Sequence, residues 1–363
     1  MIDGGADVLI AGGGTGGHVF PALALSRALV ADGLVVHHAG TAAGLEARAV
    51  PAAGLPLHLL TGAQVRGGGA ARAVAGLVAL ARGVREASAL LARLQPRLIV
   101  GVGGYASVAA VAAARLRRLP VVLLEQNAVP GWANRLCGRV ATRVCLGFAE
   151  AAPWFPRGRT VHTGNPVRPE VLAAPVPPPA PGVGLLVFGG SQGARRINTA
   201  TVAALELLGG VARGLRVVHQ TGRADRDAIA ADYARLGLAV RVEAFIDDMG
   251  SAYRAADLVV ARAGAMSCAE LTALGVPAVL VPYPFAADDH QRRNAEVLVA
   301  AGAARLLLDA DCDGPRLADL LRTLVSDASE RARMAAAARA LGRPDAARAA
   351  ARVCRDVLSM QST

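Results

Sequence analysis

Residues 7–18 read DVLIAGGGTGGH, and residues 184–195 read GLLVFGGSQGAR. In each stretch a short apolar run leads into a glycine-rich turn, and a pattern typical of a helix follows. A buried strand, a glycine turn and a helix form the opening unit of a Rossmann-like domain. Because this unit occurs once in each half of the chain, the sequence predicts an α/β protein with two doubly wound parallel-sheet domains.

The composition along the chain indicates where the domains begin and end. Apolar runs alternate with helical segments in both halves, and the first helix is expected over 21–31. The stretch PVPPPAPGVG is rich in proline, which is typical of a semi-rigid linker. We expect an N-terminal Rossmann-like domain over 1–170, a Pro-rich linker over 171–184, a C-terminal Rossmann-like domain over 185–340 and a last helix over 341–363. The sequence leaves open which domain that helix joins, and packing back on the N-terminal domain is one arrangement.

Composition and charge restrict the function. The chain has 363 residues, of which 53% are hydrophobic and 18% charged, enough for a large core. Its formal net charge is +11 with Arg as the only basic residue besides His, and the absence of Lys excludes Schiff-base chemistry and the lysine-dependent phosphate loop. A basic protein can bind nucleic acid, an anionic membrane or phosphorylated ligands. Aromatic residues make up only 3%, so we expect no nucleic-acid partner.

Cysteine usage and apolar stretches indicate the compartment. The five cysteines include no C-x-x-C pair, which predicts reduced thiols and neither a disulfide framework nor a zinc site. We expect no signal peptide, because acidic residues precede the first apolar run. The apolar stretch 98–114 is interrupted by glycines, which favours a strand, a turn and a helix over a membrane span. Any membrane contact should therefore be peripheral.

Three motifs in the first half place polar groups directly after predicted strands. GGGTGGH (12–18) brings His18 to the first turn of a helix, GVGGY (101–105) is a second glycine turn, and EQNAVPGWANR (125–135) begins with three polar residues. In open α/β sheets, ligands bind at the carboxyl ends of the strands, and helix N-termini bind anions. Each motif also has a purely structural interpretation, respectively helix capping, tight glycine packing and strand-end capping.

Three motifs in the second half repeat this logic. FGGSQGARRIN (188–198) predicts another phosphate-binding turn, and AGAMSCAE (263–270) predicts backbone N–H groups that meet phosphate oxygens. Glu270 lies about one turn into that helix, where it either accepts from ribose hydroxyls or is simply a favourable first-turn acid. DDHQRRNA (288–295) supplies donors for sugar hydroxyls, and its adjacent acids cannot face each other on a helix, so no metal site is expected.

Together with TGNPVR (163–168) and FIDDM (245–249), these six motifs resemble the MurG family of glycosyltransferases in order and spacing. The resemblance implies the GT-B fold, in which two Rossmann-like domains face each other across a cleft. It implies inverting transfer of GlcNAc from UDP-GlcNAc to O4 of MurNAc in undecaprenyl-pyrophosphoryl-MurNAc-pentapeptide (lipid I). The products are lipid II and UDP, in peptidoglycan synthesis. The resemblance implies neither a metal nor another cofactor.

The resemblance also assigns roles to residues. His18 is the candidate base, because a histidine with an ordinary pKa of about 6.5 is mostly neutral near pH 7. Tyr105 and Glu125 are weaker candidates for acceptor binding or proton relay. For the nucleotide, the resemblance implies Ile246 at uracil, Arg168 at the nucleotide end, Glu270 at ribose, and Ser191 with Ala265, Met266 and Ser267 at the diphosphate. For the sugars, it implies Gln291 and Asn127 at GlcNAc, and Thr15, Gly16 and Gly17 near the acceptor pyrophosphate and the donor sugar. Asn198, Cys268 and Ala269 belong to the same motifs and are expected to contribute to substrate binding.

The sequence departs from the MurG-family pattern at two places, and other functions are alternatives to the one that the resemblance implies. Leu124 stands where the family commonly has His, so that His cannot be essential here. Ala261 and Ala263 flank Arg262 where Ser is frequent in the family. The alternatives are a UDP-GlcNAc 2-epimerase, another UDP-sugar-dependent lipid glycosyltransferase, a non-catalytic UDP-sugar-binding protein and a dinucleotide-dependent oxidoreductase. For the oxidoreductase, Asp32 is at a suitable distance from the first glycine turn but lies in a helix-end turn.

A lipid-linked acceptor implies a peripheral position on the cytoplasmic face of the cell membrane. Residues 72–94 combine apolar and basic side chains in a way that suits a helix on an anionic membrane surface. An amphipathic helix packed on its own sheet is the alternative. The side chains concerned are Val74, Leu77, Val78, Leu80 and Leu91 with Arg72, Arg82, Arg85 and Arg93. Cell-wall synthesis and division proteins are the protein partners that this location would offer.

Overall fold

The computed structural model describes residues 5–61, 69–190 and 193–360, with the side chains of helix 69–94 described at 76 and 78–94. The chain divides into two compact units. The first consists of residues 1–168 and 345–363, and the second of residues 169–344.

The first unit contains a seven-stranded parallel sheet in the order β3-β2-β1-β4-β5-β6-β7. Its strands are β1 (Val8–Ala11), β2 (Val36–Gly40), β3 (Leu57–Leu59), β4 (Leu98–Gly101), β5 (Val121–Glu125), β6 (Arg143–Leu146) and β7 (Thr160–His162). Its helices are α1 (Gly16–Ala31), α2 (Glu46–Ala52), α3 (Gly69–Leu94), α4 (Tyr105–Leu116), α5 (Trp132–Gly138) and a 3-10 helix (Ala149–Trp154), with α14 (Ala346–Ser359) from the end of the chain.

The second unit contains a six-stranded parallel sheet in the order β10-β9-β8-β11-β12-β13. Its strands are β8 (Val183–Phe188), β9 (Leu215–Gln220), β10 (Val240–Glu243), β11 (Leu258–Ala261), β12 (Ala278–Leu280) and β13 (Ala304–Leu306). Its helices are α6 (Pro169–Ala173), α7 (Arg195–Leu208), α8 (Arg226–Arg235), α9 (Met249–Arg254), α10 (Ala265–Leu274), α11 (His290–Ala300), α12 (Gly314–Ser326) and α13 (Ala328–Leu341), with 3-10 helices at Gly209–Gly214, Ala287–Asp289 and Asp309–Asp311.

Both sheets reverse their strand order beside the first strand of the unit. In the first unit β1 pairs with β2 on one side and β4 on the other, and in the second unit β8 pairs with β9 and β11. Such a reversal opens a crevice at the carboxyl ends of the two central strands, where doubly wound folds bind ligands. The two predicted doubly wound parallel-sheet domains are therefore confirmed.

Helices cover both faces of the first sheet. On one face α3, α4 and α5 enclose a core rich in Leu, Val and Ala. On the other face α1 packs against α14, where Leu25 and Leu29 share a core cluster with Cys354 and Val357. Helix α14 therefore packs with the first unit, although the whole second unit precedes it in the chain.

Helix α1 begins at Gly16, five positions before the start expected from the sequence, and Pro21 lies inside it. The sequence-based start at residue 21 is wrong because proline is usually found in the first turn of a helix, whereas here the helix tolerates it further in. The earlier start places His18 in the first turn, as the sequence predicts.

The described part of α3 packs on the sheet. Leu90, Leu91 and Leu94 are buried against it, whereas Arg82 and Arg85 are exposed. Leu91 is therefore not available for membrane contact, and the side chains of Arg72, Val74 and Leu77 lie outside those described. Among the residues that the structure describes, none of the helices combines the length and the apolar character needed to cross a bilayer.

A buried polar network joins three elements of the second unit. The Asn198 amide nitrogen donates to the carbonyl of Thr221 at 2.9 Å, so its oxygen faces His219 Nε2 at 3.1 Å and must accept from it. His219 Nδ1 then accepts from the Tyr233 hydroxyl at 2.8 Å. Burial lowers the pKa of His219 to about 3, which keeps the ring neutral and this tautomer in place.

We expect Tyr233→Phe to destabilise the protein by about 1–3 kcal/mol, because it leaves His219 Nδ1 buried without a donor. Urea unfolding followed by circular dichroism would measure this loss. The control is Tyr283→Phe, which removes a hydroxyl from an exposed tyrosine and should change stability by less than about 0.5 kcal/mol. Equal effects of the two substitutions would contradict the network.

Candidate active site

Two glycine turns meet at the carboxyl ends of β1 and β4. Gly13 N–H donates to the carbonyl oxygen of Gly103 at 3.3 Å. A Cβ atom on Gly12 would lie 2.3 Å from the same oxygen, and Gly12 has φ +137°. The backbones therefore approach so closely that only glycine fits at this position.

His18 lies against this junction. Its Nδ1 is 3.0 Å from the carbonyl oxygen of Gly13. Because a carbonyl oxygen can only accept, Nδ1 carries the proton and Nε2 carries the lone pair. A Cβ atom on Gly103 would lie 2.9 Å from Nε2, so the second glycine turn leaves the space that the imidazole occupies. The geometry thus sets the tautomer that can accept a proton at Nε2.

Glu46, at the start of α2, lies under the first glycine turn. Its Oε2 accepts from Gly14 N–H at 2.7 Å, and its Oε1 accepts from Thr41 N–H at 2.9 Å. Burial alone would raise the pKa of Glu46, but these hydrogen bonds outweigh it and hold the pKa below its ordinary value. Sequence reasoning missed Glu46. The one signal was its position directly after GTAAGL (40–45), whose two glycines leave room for the side chain.

A cavity of about 580 Å³ opens beside these residues within the first unit. The first glycine turn and Thr15 line one part of it, and Tyr105 lines another. The Tyr105 hydroxyl is buried and makes no hydrogen bond to any residue that the structure describes. Burial raises the pKa of Tyr105, and the charge of Glu86 raises it further, so the hydroxyl remains protonated near neutral pH.

Glu125 ends β5 and is buried. Its Oε1 accepts from Asn127 N–H and its Oε2 from the Asn134 side chain, both at 2.9 Å. Burial raises the pKa of Glu125 to about 7, although these hydrogen bonds oppose the shift. The carboxyl group can therefore both hold and release a proton near neutral pH. Leu124 beside it is buried in the core.

Other predicted residues of the first unit have defined positions. Gly16 and Gly17 form the start of α1, and Asn127 follows β5. Arg168 stacks its guanidinium 4.9 Å from the centre of the Phe20 ring, two residues along α1 from His18.

In the second unit, α10 begins at Ala265, after a three-residue turn that follows β11. Its first turn contains Ala265, Met266 and Ser267, and backbone N–H groups at a helix start are suited to phosphate oxygens. Glu270 is buried in the next turn, where its Oε2 accepts from the Tyr253 hydroxyl at 3.0 Å. The tyrosine thereby orients the carboxylate.

The remaining predicted residues of the second unit differ in exposure. Gln291 is partly exposed, and its oxygen accepts from Tyr283 N–H at 3.0 Å. Asn198 and Cys268 are fully buried, Ala269 is partly buried, and the Ile246 side chain is buried. Ser191 lies outside the described residues. In the described part of the chain, no three His, Cys, Asp or Glu side chains come together in a way that could hold a metal ion.

Comparison with known proteins assigns the chain to a family. Residues 8–146 match the glycosyltransferase family 28 N-terminal domain, and residues 184–350 match the glycosyltransferase family 28 C-terminal domain. The chain is 43% identical to a UDP-N-acetylglucosamine--N-acetylmuramyl-(pentapeptide) pyrophosphoryl-undecaprenol N-acetylglucosamine transferase of Pelobacter propionicus, over 94% of this chain and 97% of the relative. The chain belongs to this transferase family, the MurG family.

Solved structures agree with MurG-family membership. The crystal structure of MurG from Acinetobacter baumannii has a TM-score of 0.81 and 32% sequence identity, covering 96% of this chain and 99% of that one. The fold is therefore GT-B. A protein described as a putative UDP-N-acetylglucosamine 2-epimerase from Listeria monocytogenes has a TM-score of 0.71 at 15% identity, covering 99% and 98% of the two chains. That likeness shows the shared fold alone.

We expect Glu125→Gln to remove one contribution to the pH dependence of stability of this MurG-family protein. The folded-state pKa of about 7 lies above the ordinary 4.5, so the contribution of Glu125 to stability falls as pH rises from 4.5 to 7, where the carboxyl group ionises fully only in the unfolded chain. The loss across that window is on the order of 3 kcal/mol, and Gln at this position has no proton to release.

Urea unfolding at pH 5 and pH 8 measures this difference for the wild-type protein and the variant. The matched control is Glu150→Gln, the same substitution at an exposed position, which should leave the pH dependence as in the wild type. An unchanged slope in Glu125→Gln would contradict the raised pKa.

Proposed function

We infer that the chain transfers GlcNAc from UDP-GlcNAc to O4 of the MurNAc residue of lipid I, giving lipid II and UDP. The observation that carries this function is the 43% identity, over 94% of the chain, to the N-acetylglucosamine transferase of Pelobacter propionicus described above. The geometry around His18 supports it, because an alcohol acceptor needs a base and the imidazole presents Nε2 as its acceptor atom.

The reaction is a single displacement that inverts the anomeric centre. The acceptor O4 forms a bond to C1 of GlcNAc, and the bond between C1 and the β-phosphate oxygen breaks, so its electron pair leaves on UDP. The O4 proton passes to His18 Nε2. Glu125 and Tyr105 are the groups we propose for acceptor binding and for relaying that proton, since Glu125 can hold and release a proton near neutral pH and the Tyr105 hydroxyl carries one.

We propose that the donor nucleotide binds mainly in the second unit. Negative charge grows on the diphosphate as UDP leaves, and the N–H groups at the start of α10 can stabilise it without a metal. Glu270, held by Tyr253, would accept from the ribose hydroxyls. Ile246 and Arg168 would contact the nucleotide, and Gln291 the sugar.

We expect His18→Ala to lower kcat for label transfer from radiolabelled UDP-GlcNAc to lipid I by about 10²–10⁴-fold, because a general base typically contributes this much. UDP binding, measured by calorimetry, should stay within about twofold of the wild type. Transfer should proceed in EDTA.

Glu270→Gln is the complementary variant, since it should weaken UDP binding while leaving the residues around His18 unchanged. Retention of kcat within threefold in His18→Ala would contradict the base assignment. Formation of an epimerised UDP-sugar without lipid I, in place of transfer, would identify an epimerase and overturn the proposed function.

We propose that the helices α3, α4 and α5 form the side of the first unit that meets an anionic membrane at the cytoplasmic face. The only two tryptophans of the chain are both exposed, Trp132 in α5 and Trp154 at the end of the 3-10 helix Ala149–Trp154, and Arg135 of α5 lies 4.0 Å over the Trp154 ring. Leu136 is exposed one turn after Trp132. Tryptophan beside arginine suits the interface of an anionic bilayer, since the ring enters the headgroup region and the cation binds phosphate.

The double substitution of Trp132 and Trp154 by Ser should lower binding to phosphatidylglycerol vesicles by about tenfold, as measured by co-sedimentation, because two interfacial rings are removed. The matched control replaces Leu207 and Val211, two exposed apolar residues of the second unit, by Ser. Equal losses in the two double variants would argue against the proposed membrane face.

A further inference from the structure

One peptide group connects Glu46 to His18. The carbonyl oxygen of Gly13 accepts from His18 Nδ1 at 3.0 Å. The N–H of Gly14, in the same peptide group, donates to Glu46 Oε2 at 2.7 Å. The carboxylate, the peptide group and the imidazole therefore form one continuous chain of two hydrogen bonds.

Through this chain of hydrogen bonds, the negative charge of Glu46 affects the imidazole of His18. A carboxylate that accepts from an amide N–H makes a charge-assisted hydrogen bond and polarises the peptide group, so the carbonyl oxygen becomes a better acceptor. That oxygen then holds the Nδ1 proton of His18 more strongly and stabilises the protonated imidazole. In many enzymes a carboxylate accepts directly from a histidine ring and orients it. Here the carboxylate acts in the same way, but one peptide group lies between it and the ring.

We propose that Glu46 is a positioning residue that acts through the Gly13–Gly14 peptide group to fix the Nδ1–H tautomer of His18 and to make its Nε2 more basic. The effect on transfer rate rests on the proposed function, in which His18 is the base. The effect on the tautomer and basicity of the ring does not.

The surroundings of Glu46 are built to hold a charged carboxylate. Cβ atoms on Gly13, Gly40 and Gly44 would each lie within 2.4 Å of the Glu46 side chain, so only glycine leaves room for it at these positions. The Thr41 hydroxyl adds a hydrogen bond of 2.9 Å to Oε1.

Glu46 also changes what the first glycine turn can bind. In a dinucleotide-binding turn, the backbone N–H groups face a phosphate. Here the Gly14 N–H is already taken by a carboxylate, whose negative charge disfavours a phosphate at the same place. The turn therefore orients the histidine, and it does not offer this amide to an anion.

Other titratable and charged groups stand on the elements around His18. They are Tyr105 at the start of α4, Glu125 at the end of β5, and Arg168, which stacks on Phe20. Replacing Glu46 by Gln leaves all three in place. A change in His18 between the wild type and this variant therefore reports on Glu46.

Nitrogen-15 NMR of histidine-labelled full-length protein tests the proposal, with the His18 signals assigned by their loss in His18→Ala. In the wild type, neutral His18 should carry its proton on Nδ1. In Glu46→Gln, the pKa of His18 should fall by about 0.5–1 pH unit, because the carboxylate that acts on the ring through the Gly13–Gly14 peptide group is replaced by a neutral amide. The acidic limb of the kcat profile should move to lower pH by the same amount.

Asp7→Asn is the matched control. Asp7 accepts from Val35 N–H at 2.9 Å and lies before β1, at the end of the strand opposite the glycine turn. The Asp7→Asn substitution removes one negative charge from the same unit, as Glu46→Gln does, and should leave the pKa of His18 unchanged. An equal shift in both variants, or no shift in a folded Glu46→Gln, would overturn the proposal.

The wild-type tautomer decides the matter even if Glu46→Gln does not fold, because a dominant Nε2–H form would exclude the proposed chain. A shifted pKa in Glu46→Gln, together with full transfer by His18→Ala, would support the positioning role and refute the base. The two hypotheses therefore fail separately.

Discussion

The contact between the glycine turns after β1 and β4 is the constraint on which the candidate site of the first unit depends. Gly12 and Gly13 approach the Gly103 backbone so closely that no side chain fits between them. This approach is possible because β1 and β4 are adjacent parallel strands whose carboxyl ends meet at one edge of the sheet. The imidazole of His18 occupies the space that Gly103 leaves, and the peptide groups around it have fixed directions.

The second unit shows the same strand arrangement put to a different use. There the turn after β11 leads into α10, whose N-cap residue is Gly264, so no N-cap side chain bonds to the first N–H groups of this helix. Its acidic residue, Glu270, lies a turn further along the helix and is held by Tyr253. One topology thus begins α10 at a glycine N-cap in one unit and orients the imidazole of His18 in the other, where the carboxylate of Glu46 accepts from the glycine turn.

The sequence predicted features that depend on neighbouring residues, but it did not predict individual side-chain contacts between elements that are distant in the chain. The order of strand, glycine turn and helix depends on neighbouring residues, so both Rossmann-like sheets and the position of His18 could be inferred. Glu46 could not, because its contact with Gly14 depends on how α2 packs beside β1. For Asn198, the motif suggested ligand binding but not its complete burial beside His219, since a polar residue in a helix pattern does not reveal which face it occupies.

The packing of α14 on α1 has a consequence for biosynthesis. One face of the first sheet is covered in part by residues that the ribosome adds only after the whole second unit has been translated. Leu25 and Leu29 must therefore await Cys354 and Val357, while the second unit, a continuous segment, can fold as it emerges. The N-terminal half is thus the later of the two to reach its finished form, and a nascent chain would expose that apolar face to chaperones until synthesis nears completion.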